Sequence, residues 1–402
     1  MKSFELKALS ASIFLLSAMS AAQGAETVSE ALAEGKVYGD LRLRYESVED
    51  DNAATDDATA LTLRTKLGYN SGSVNGFSTT LEFEDSRIVA GEGDYTVGPA
   101  GYNPGEYSVI ADPETTELDQ AFVKYKSGSF VAKLGRQVIT YDGHRFIGHV
   151  GWRQDRQTFD GLTMSYQPSE KLTLNYGYVE QRNRIFAEAA DLDSKDHFMN
   201  VAYDTAIGKV TAYAYMLELD IPAENGLDTV GVSLKGAKAS GDTKFLYAAE
   251  YATQSAESAA GDADTSYMLL EGGVVAGGLT TKIGYEVLGS DDATVGFATP
   301  LATLHKFNGW ADLFIPTPGA GLVDLYASVG GSLAGGQWGL VYHEFSADED
   351  TPTMSDYGSE IDVVYSRKFA KSYNAGIKYA AYSADDFGED TNKLWVWMGV
   401  SF

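Results

Sequence analysis

The sequence predicts an all-β protein, a transmembrane antiparallel β-barrel of about 18 strands with short periplasmic turns and long outer loops. Three observations predict this class. Apolar and polar side chains alternate along most of the chain, short and long connections alternate, and the last predicted strand ends on an aromatic residue, Phe402. Alternation alone also occurs in soluble sandwiches, so the connections and the final strand decide between the two classes.

Residues 1–25 have the features of a signal peptide. Lys2 and Lys7 precede an apolar run over 8–22, and small residues surround Gln23. The run is shorter than the roughly 18 residues that a membrane-spanning helix needs. We therefore expect cleavage within 22–25 and one barrel domain over 26–402, located in the cell outer membrane.

The first predicted strands show the alternation most clearly. In 37–46 and 61–69, apolar or small residues occupy the odd positions and mostly polar residues the even ones. The basic residues at these polar positions are Arg42, Arg44, Arg64 and Lys66. In the third predicted strand, Glu82 and Glu84 occupy the equivalent polar positions. Each basic group would cost roughly 2–4 kcal/mol against lipid at the bilayer centre. We therefore expect these side chains to face a water-filled lumen.

The connections set the strand number. Short ones such as 71–75 and 126–128 alternate with longer ones such as 88–114 and 140–156. Bacterial single-chain barrels have an even number of strands, and treating 291–320 as one outer loop gives about 18. Sixteen stays open, because short strands are easily misassigned. A barrel of this width encloses an aqueous channel.

Composition excludes several classes of protein. With 30 Lys+Arg against 57 Asp+Glu, the net charge of −27 argues against a nucleic-acid partner. The chain has no Cys and five His, and it lacks the Gly-x-Ser-x-Gly and His-Glu-x-x-His motifs, so we expect no enzyme, cofactor or metal site. Acidic runs such as 49–57 are interpreted as solvated outer loops beside outer-membrane lipid and lipopolysaccharide, with cation bridging to lipopolysaccharide as an alternative.

Basic and aromatic residues are concentrated in 135–160. The arginines of this segment are Arg136, Arg145, Arg153 and Arg156. Its glycines interrupt any regular strand, which favours a loop that folds into the lumen and narrows it; an exposed loop is the alternative. Guanidinium groups bind carboxylates in a bidentate manner. The arginines therefore suit anionic solutes, or equally a network of ion pairs that stiffens the barrel wall.

The same segment, GRQVITYDGHRFIGHVGWRQDRQTFDG, resembles the alginate-export porin family of Gram-negative outer membranes. Three later stretches resemble that family in the same order: 303–326, 342–348 and 357–369. The resemblance implies a monomeric barrel of 18 strands that passes polar, often anionic, solutes. Carried onto this sequence, it implies that Arg136, Arg145, Arg153 and Arg156 are the basic residues that bind them.

These features together predict a porin for passive diffusion of polar solutes, anionic or of carboxylate or sugar type, through an arginine-lined lumen. Two alternatives stay open: a dedicated exporter of alginate or another polysaccharide, and a structural or adhesive barrel with a plugged lumen. A plugged barrel needs bulky inward side chains, and Trp395 and Trp397 have the parity for this.

Overall fold

The computed structural model describes residues 24–97, 103–223, 225–258 and 261–402. Most of the predicted signal peptide, 1–23, lies outside these residues. Eighteen strands form one antiparallel sheet, and the sheet closes because the first strand pairs with both the second and the last. The prediction of a closed 18-stranded antiparallel barrel is confirmed.

Each barrel strand pairs with its neighbours in sequence. The barrel strands are β1 (Lys36–Asp50), β2 (Ala58–Asn70), β3 (Phe77–Asp94), β4 (Thr115–Ser127), β5 (Phe130–Gln137), β6 (Thr158–Ser169), β7 (Leu172–Asn183), β8 (Leu192–Thr205), β9 (Gly208–Leu217), β10 (Leu227–Ser240), β11 (Thr243–Ala256), β12 (Ala263–Ala276), β13 (Leu279–Leu288), β16 (Leu322–Leu333), β17 (Gly336–Thr351), β18 (Met354–Phe369), β19 (Tyr373–Ala384) and β20 (Thr391–Ser401).

In the part of the chain that the structure describes, four small elements lie outside the barrel wall. They are helix α1 (Val28–Ala33), a two-stranded ribbon of β14 (Ser290–Asp291) and β15 (Val295–Gly296), and 3₁₀ turns at Glu188–Ala190 and Leu304–Lys306. No helix in the described ranges has the length and apolar character that crossing a membrane requires.

The turns at the end of the barrel that also carries both termini are all short. The turn between β2 and β3 shows why they are tight. Asn75 and Gly76 both have positive φ, 51° and 85°, as a type I′ hairpin turn requires. Val74 and Phe77 close this turn with two backbone hydrogen bonds of 2.9 Å.

The outward face of the wall is apolar, as contact with lipid requires. Its exposed side chains include Leu43, Leu67, Phe83, Val123, Leu134, Met199, Val232, Leu270, Ile283, Leu325, Ile361, Ile377 and Met398. Residues of the opposite parity are buried inside the barrel, among them Arg44, Glu46, Glu84 and Trp395. The polar side chains are therefore buried against groups within the lumen.

Candidate functional site

Two long loops fold into the lumen from the same end of the barrel. They are the 138–157 loop, between β5 and β6, and the 289–321 loop, between β13 and β16. Side chains of the 138–157 loop bind inward-facing residues of well-separated strands. Arg153 donates to Glu46 on β1 at 2.9 Å, and Arg145 donates to Glu286 on β13 at 2.7 Å. One loop can reach both walls only from inside the barrel.

The two loops also bind each other. The Gly148 amide donates to the Leu301 carbonyl at 2.7 Å, and the Thr303 amide donates to the His144 carbonyl at 3.0 Å. Val150 holds a φ of 48°, which is rare for a β-branched residue, and its amide donates to the Thr303 hydroxyl at 3.2 Å. These contacts make the loops one packed unit.

Aromatic rings fill the centre of this unit. The indole of Trp152 stacks on the His305 imidazole, with ring centroids 4.9 Å apart and planes at 9°. Trp395 and Trp397 meet Trp152 edge-on at 5.8 and 5.5 Å. Both β20 tryptophans thus lie inside the barrel, as their parity predicted.

Asp312 is the central charged group of the unit. Its carboxylate accepts from Arg153 at 3.0 Å and lies 2.8 Å from His305 Nδ1. The Lys393 ammonium is 3.8 Å away, and Lys378 lies 2.7 Å from His305 Nε2. This cluster links both loops to β19 and β20.

The predicted basic residues of the first strands lie inside the barrel, where carboxylates or loop carbonyls bind them. Arg44 pairs with Asp112, Arg64 with Asp40, and Lys66 with Glu84. Arg42 donates to the Trp152 and Arg153 carbonyls at 2.8 and 2.7 Å.

The predicted loop arginines are bound in the same way. Arg156 pairs with Glu82 and donates to Asp119 at 3.0 Å, and Arg145 and Arg153 make the wall contacts described above. These arginines therefore form an ion-pair network that holds the loops in place. This is the second of the two roles that the sequence left open, beside the binding of anionic solutes.

Arg136 is an exception to the predicted set, because it does not face the lumen. It pairs across strands with Ala121 and Asp160, on the same side of β5 as Leu134, which is 59% exposed to the outside. Its guanidinium makes a bidentate ion pair with Asp160 at 2.8 and 2.9 Å. Since Phe130, Ala132 and Leu134 share its parity, the alternation in 130–137 places Arg136 outward, contrary to the prediction of a pore-lining residue.

Cavities lie on both sides of the packed loops, and two of them contain cationic side chains from the lumen. The outer cavity, of about 450 Å³, opens toward the long loops and includes Arg153, Arg184, Asp312 and Lys393 in its lining. The inner cavity, of about 400 Å³, lies among inward side chains of β10–β13 and β16–β17. Its basic residues are Arg145, Lys235, Lys282 and Lys306.

Several of these cationic residues were not among the predicted site residues. The inward parity of Lys235 and Lys282 could have identified them, because each alternates with outward apolar residues such as Val232 and Ile283. Arg184 and Lys306 lie in loops, where no periodicity exists. Within the described ranges, no cluster of three or more His, Cys, Asp or Glu side chains is arranged to hold a metal ion.

Two loop histidines couple loop packing to pH. Burial lowers the pKa of His305 to about 3, although Asp312 opposes the shift, and burial followed by Arg156 lowers the pKa of His149 to about 4. In a released loop each would titrate near pH 6.5. Protons therefore favour release, and the histidine contribution to packing, complete above about pH 6.5, is lost as the pH falls toward 3–4.

We expect single-channel currents to become larger and noisier between pH 7 and pH 4.5, and His305→Gln, which cannot be protonated, to weaken that response. Asp155 responds to acid in the opposite way, because burial raises its pKa well above the usual value and its protonation therefore favours the packed loop. The His305→Gln variant separates the histidine contribution from that of Asp155. His197→Gln is the matched control, since His197 lies on the outward face beside Tyr176. An unchanged acid response in His305→Gln would contradict this assignment.

The sequence matches the alginate-export family over residues 35–287. No curated protein matches it. Among solved structures, the outer-membrane protein OpdK of Pseudomonas aeruginosa has 14% identity and a TM-score of 0.73, and OccK9 (OpdG) of the same organism has 16% identity and a TM-score of 0.73. OpdK with vanillate has 13% identity and a TM-score of 0.71. Each alignment covers 92% of this chain and 99% of the other.

These structural neighbours are outer-membrane porins, which are channels rather than enzymes, and they share the fold of this chain. The family match covers more than half of the 402 residues and agrees with the closed barrel. This protein is therefore a member of the alginate-export family of the Gram-negative outer membrane.

Proposed function

We propose that this porin passes small solutes that carry a carboxylate, by passive diffusion from the outer cavity to the inner one. The observation that supports this most directly is that each cavity contains a cationic side chain without an ion-pair partner among the described residues: Arg184 in the outer cavity and Lys306 in the inner one. Asp191 accepts from the backbone amide of Arg184 and attracts its guanidinium, but no described carboxylate forms an ion pair with the guanidinium or with the Lys306 ammonium. Both cations can therefore bind an anionic solute.

Two further amines, those of Lys235 and Lys282, line the inner cavity with Lys306. The Lys306 ammonium donates to the Gly143 carbonyl at 2.8 Å. Burial, and then the ammonium groups of Lys235 and Lys282, lower the pKa of Lys306. Lys235 and Lys282 each contact a carboxylate, at 3.3 and 2.9 Å. The lining also contains five carboxylates, those of Asp142, Glu250, Glu271, Glu286 and Asp324. Lys306 is thus the amine of this cavity that forms no ion pair among the described residues, and it is the group there that can bind an anion.

In this proposal the predicted arginines act indirectly. Arg42, Arg145, Arg153 and Arg156 hold the 138–157 loop in place and thereby set the width of the path. The vanillate complex of OpdK is consistent with carboxylate passage in a barrel of this architecture, although identity at this level carries the fold only.

The size of the cavities favours small solutes over a polymer. The two volumes, about 450 and 400 Å³, are each suited to one small molecule. The half-buried Trp152 and the buried side chains of His305 and Asp312 lie between them. A polysaccharide chain needs an unbroken channel several sugars long. Alginate export is therefore the second candidate function, after the passage of small carboxylates.

Ion selectivity in a planar bilayer tests the proposal. The unmodified protein is expected to pass chloride in preference to potassium in a KCl gradient. Arg184→Ala combined with Lys306→Ala should lower that preference about twofold or more, because two uncompensated charges leave the path. The matched control is Arg136→Ala, which removes an outward guanidinium and should leave the reversal potential unchanged. No current from folded protein would support the plugged barrel, and an unchanged preference in the double variant would overturn the assignment of these residues.

A further inference from the structure

We propose that the outer cavity is a binding site for carboxylates with a compact apolar body, such as aromatic or branched alkyl monocarboxylates. This inference rests on the proposed passage of carboxylates and adds the class of solute that the cavity selects. It is carried by the lining of the cavity, which is apolar although loops that face water build it.

Ten of the sixteen lining residues are apolar. They come from four different loops, and the largest are Val109, Val150, Ile185, Phe186, Leu304 and Ile315. Val109 and Ile315 remain 49% and 41% exposed. A concave apolar surface that stays open to water is typical of a site that a ligand covers.

The cations lie at defined places in this apolar lining. The Arg184 guanidinium lies 5.3 Å from the Phe186 ring centroid and forms no ion pair among the described residues. The neighbouring Asp191 carboxylate accepts from the Arg184 backbone amide at 2.9 Å instead. Lys393, at the floor, makes only a 3.8 Å contact with Asp312, whose Oδ2 atom already accepts from Arg153 at 3.0 Å. Both cations can therefore bind a carboxylate while the rest of a ligand contacts Phe186 and Ile315.

The remaining polar groups of the cavity are already hydrogen-bonded. Gln157 donates to the Gly148 carbonyl at 3.0 Å, and both nitrogens of His305 have partners, Asp312 and Lys378. A sugar acid would bring several hydroxyl groups into a cavity with few free partners for them. A hydroxyl that is buried without a hydrogen-bond partner is unfavourable, so the lining favours apolar acids over sugar acids of similar size.

Arg184 also lies in the lining of a neighbouring cavity of about 320 Å³. The two cavities share the wall formed by Pro300, Leu304, Ile315 and Pro316. A ligand bound at Arg184 therefore contacts the same apolar wall from either cavity, and Ile315 is the residue to vary.

The test compares benzoate with glucuronate, two monoanions with one ring. Binding to the purified protein in detergent is measured by saturation-transfer NMR, and flux is measured in proteoliposomes. Benzoate is expected to half-saturate at a concentration at least about tenfold lower than glucuronate, equivalent to about 1.4 kcal/mol. Ile315→Ser should weaken benzoate binding about threefold or more and leave glucuronate unchanged, whereas Arg184→Ala should weaken both.

The matched control is Ile221→Ser, since Ile221 is 51% exposed in another long loop outside the cavity lining. Equal binding of the two acids, or benzoate binding that Ile315→Ser leaves unchanged, would overturn this inference. In that case an anion-selective current would still support the proposed function. Selective benzoate binding without flux would support the binding site and contradict carboxylate passage.

Discussion

The Arg153→Ala variant is expected to pass several times more current than the unmodified protein, with frequent brief closures. The buried Arg153 guanidinium joins three elements: β1 through Glu46, the 289–321 loop through Asp312, and its own 138–157 loop. Removing one partner of a buried ion pair typically costs about 3–5 kcal/mol. The 138–157 loop should then leave its packed position for part of the time and widen the path.

Single-channel recording measures both effects, and the temperature at which the barrel unfolds in SDS shows whether the wall is intact. We expect the wall to persist, because its strands are joined by a continuous backbone ladder and Arg44 still lies 3.2 Å from Glu46. Arg87→Ala is the matched control. Its ion pair with Asp85 is exposed, and such pairs contribute about 0–1 kcal/mol. Unchanged current and noise in Arg153→Ala would mean that other contacts suffice to hold the loop.

The wall of this barrel was predictable because a strand has a period of two and lipid penalises charge. The alternation in 37–46 was enough to place Arg42 and Arg44 inside. Counting connections gave eighteen strands once 291–320 was treated as a loop. Among the described residues, the strands outside the barrel are those of the small ribbon β14–β15, at the start of that loop.

The lumen was less predictable because its packing depends on loops. Nothing periodic in 138–157 indicates that Arg153 meets Asp312, which is 159 residues later in the chain. Even within a strand, resemblance to a family misled where alternation would not: Arg136 follows Phe130, Ala132 and Leu134 on the outward face. Arg184 could not be predicted as a site residue, because an arginine beside apolar residues in a loop has no specific sequence pattern. Its role depends on the cavity that four loops form together.

The Trp152→Ala variant is expected to join the two cavities and to increase conductance without added noise. The indole lies between His305, Trp395 and Trp397, and the Lys378 ammonium is 4.7 Å from its ring centroid. Truncating a packed tryptophan to alanine costs about 3–5 kcal/mol, but the Arg153 and Arg145 ion pairs remain and should keep the loops in place. The space left by the indole borders charged groups, so water is expected to fill it.

Conductance and liposome swelling with solutes of increasing size measure the widening, and Trp152→Phe should give an intermediate value. Trp338→Ala is the matched control, because Trp338 lies on the outward face of β17 near a short turn. Unchanged conductance in Trp152→Ala would place the path elsewhere in the lumen. Combining Trp152→Ala with Arg153→Ala identifies the constriction: if both residues narrow the same point, the two increases will not add, because a path already opened by one change gains little from the other.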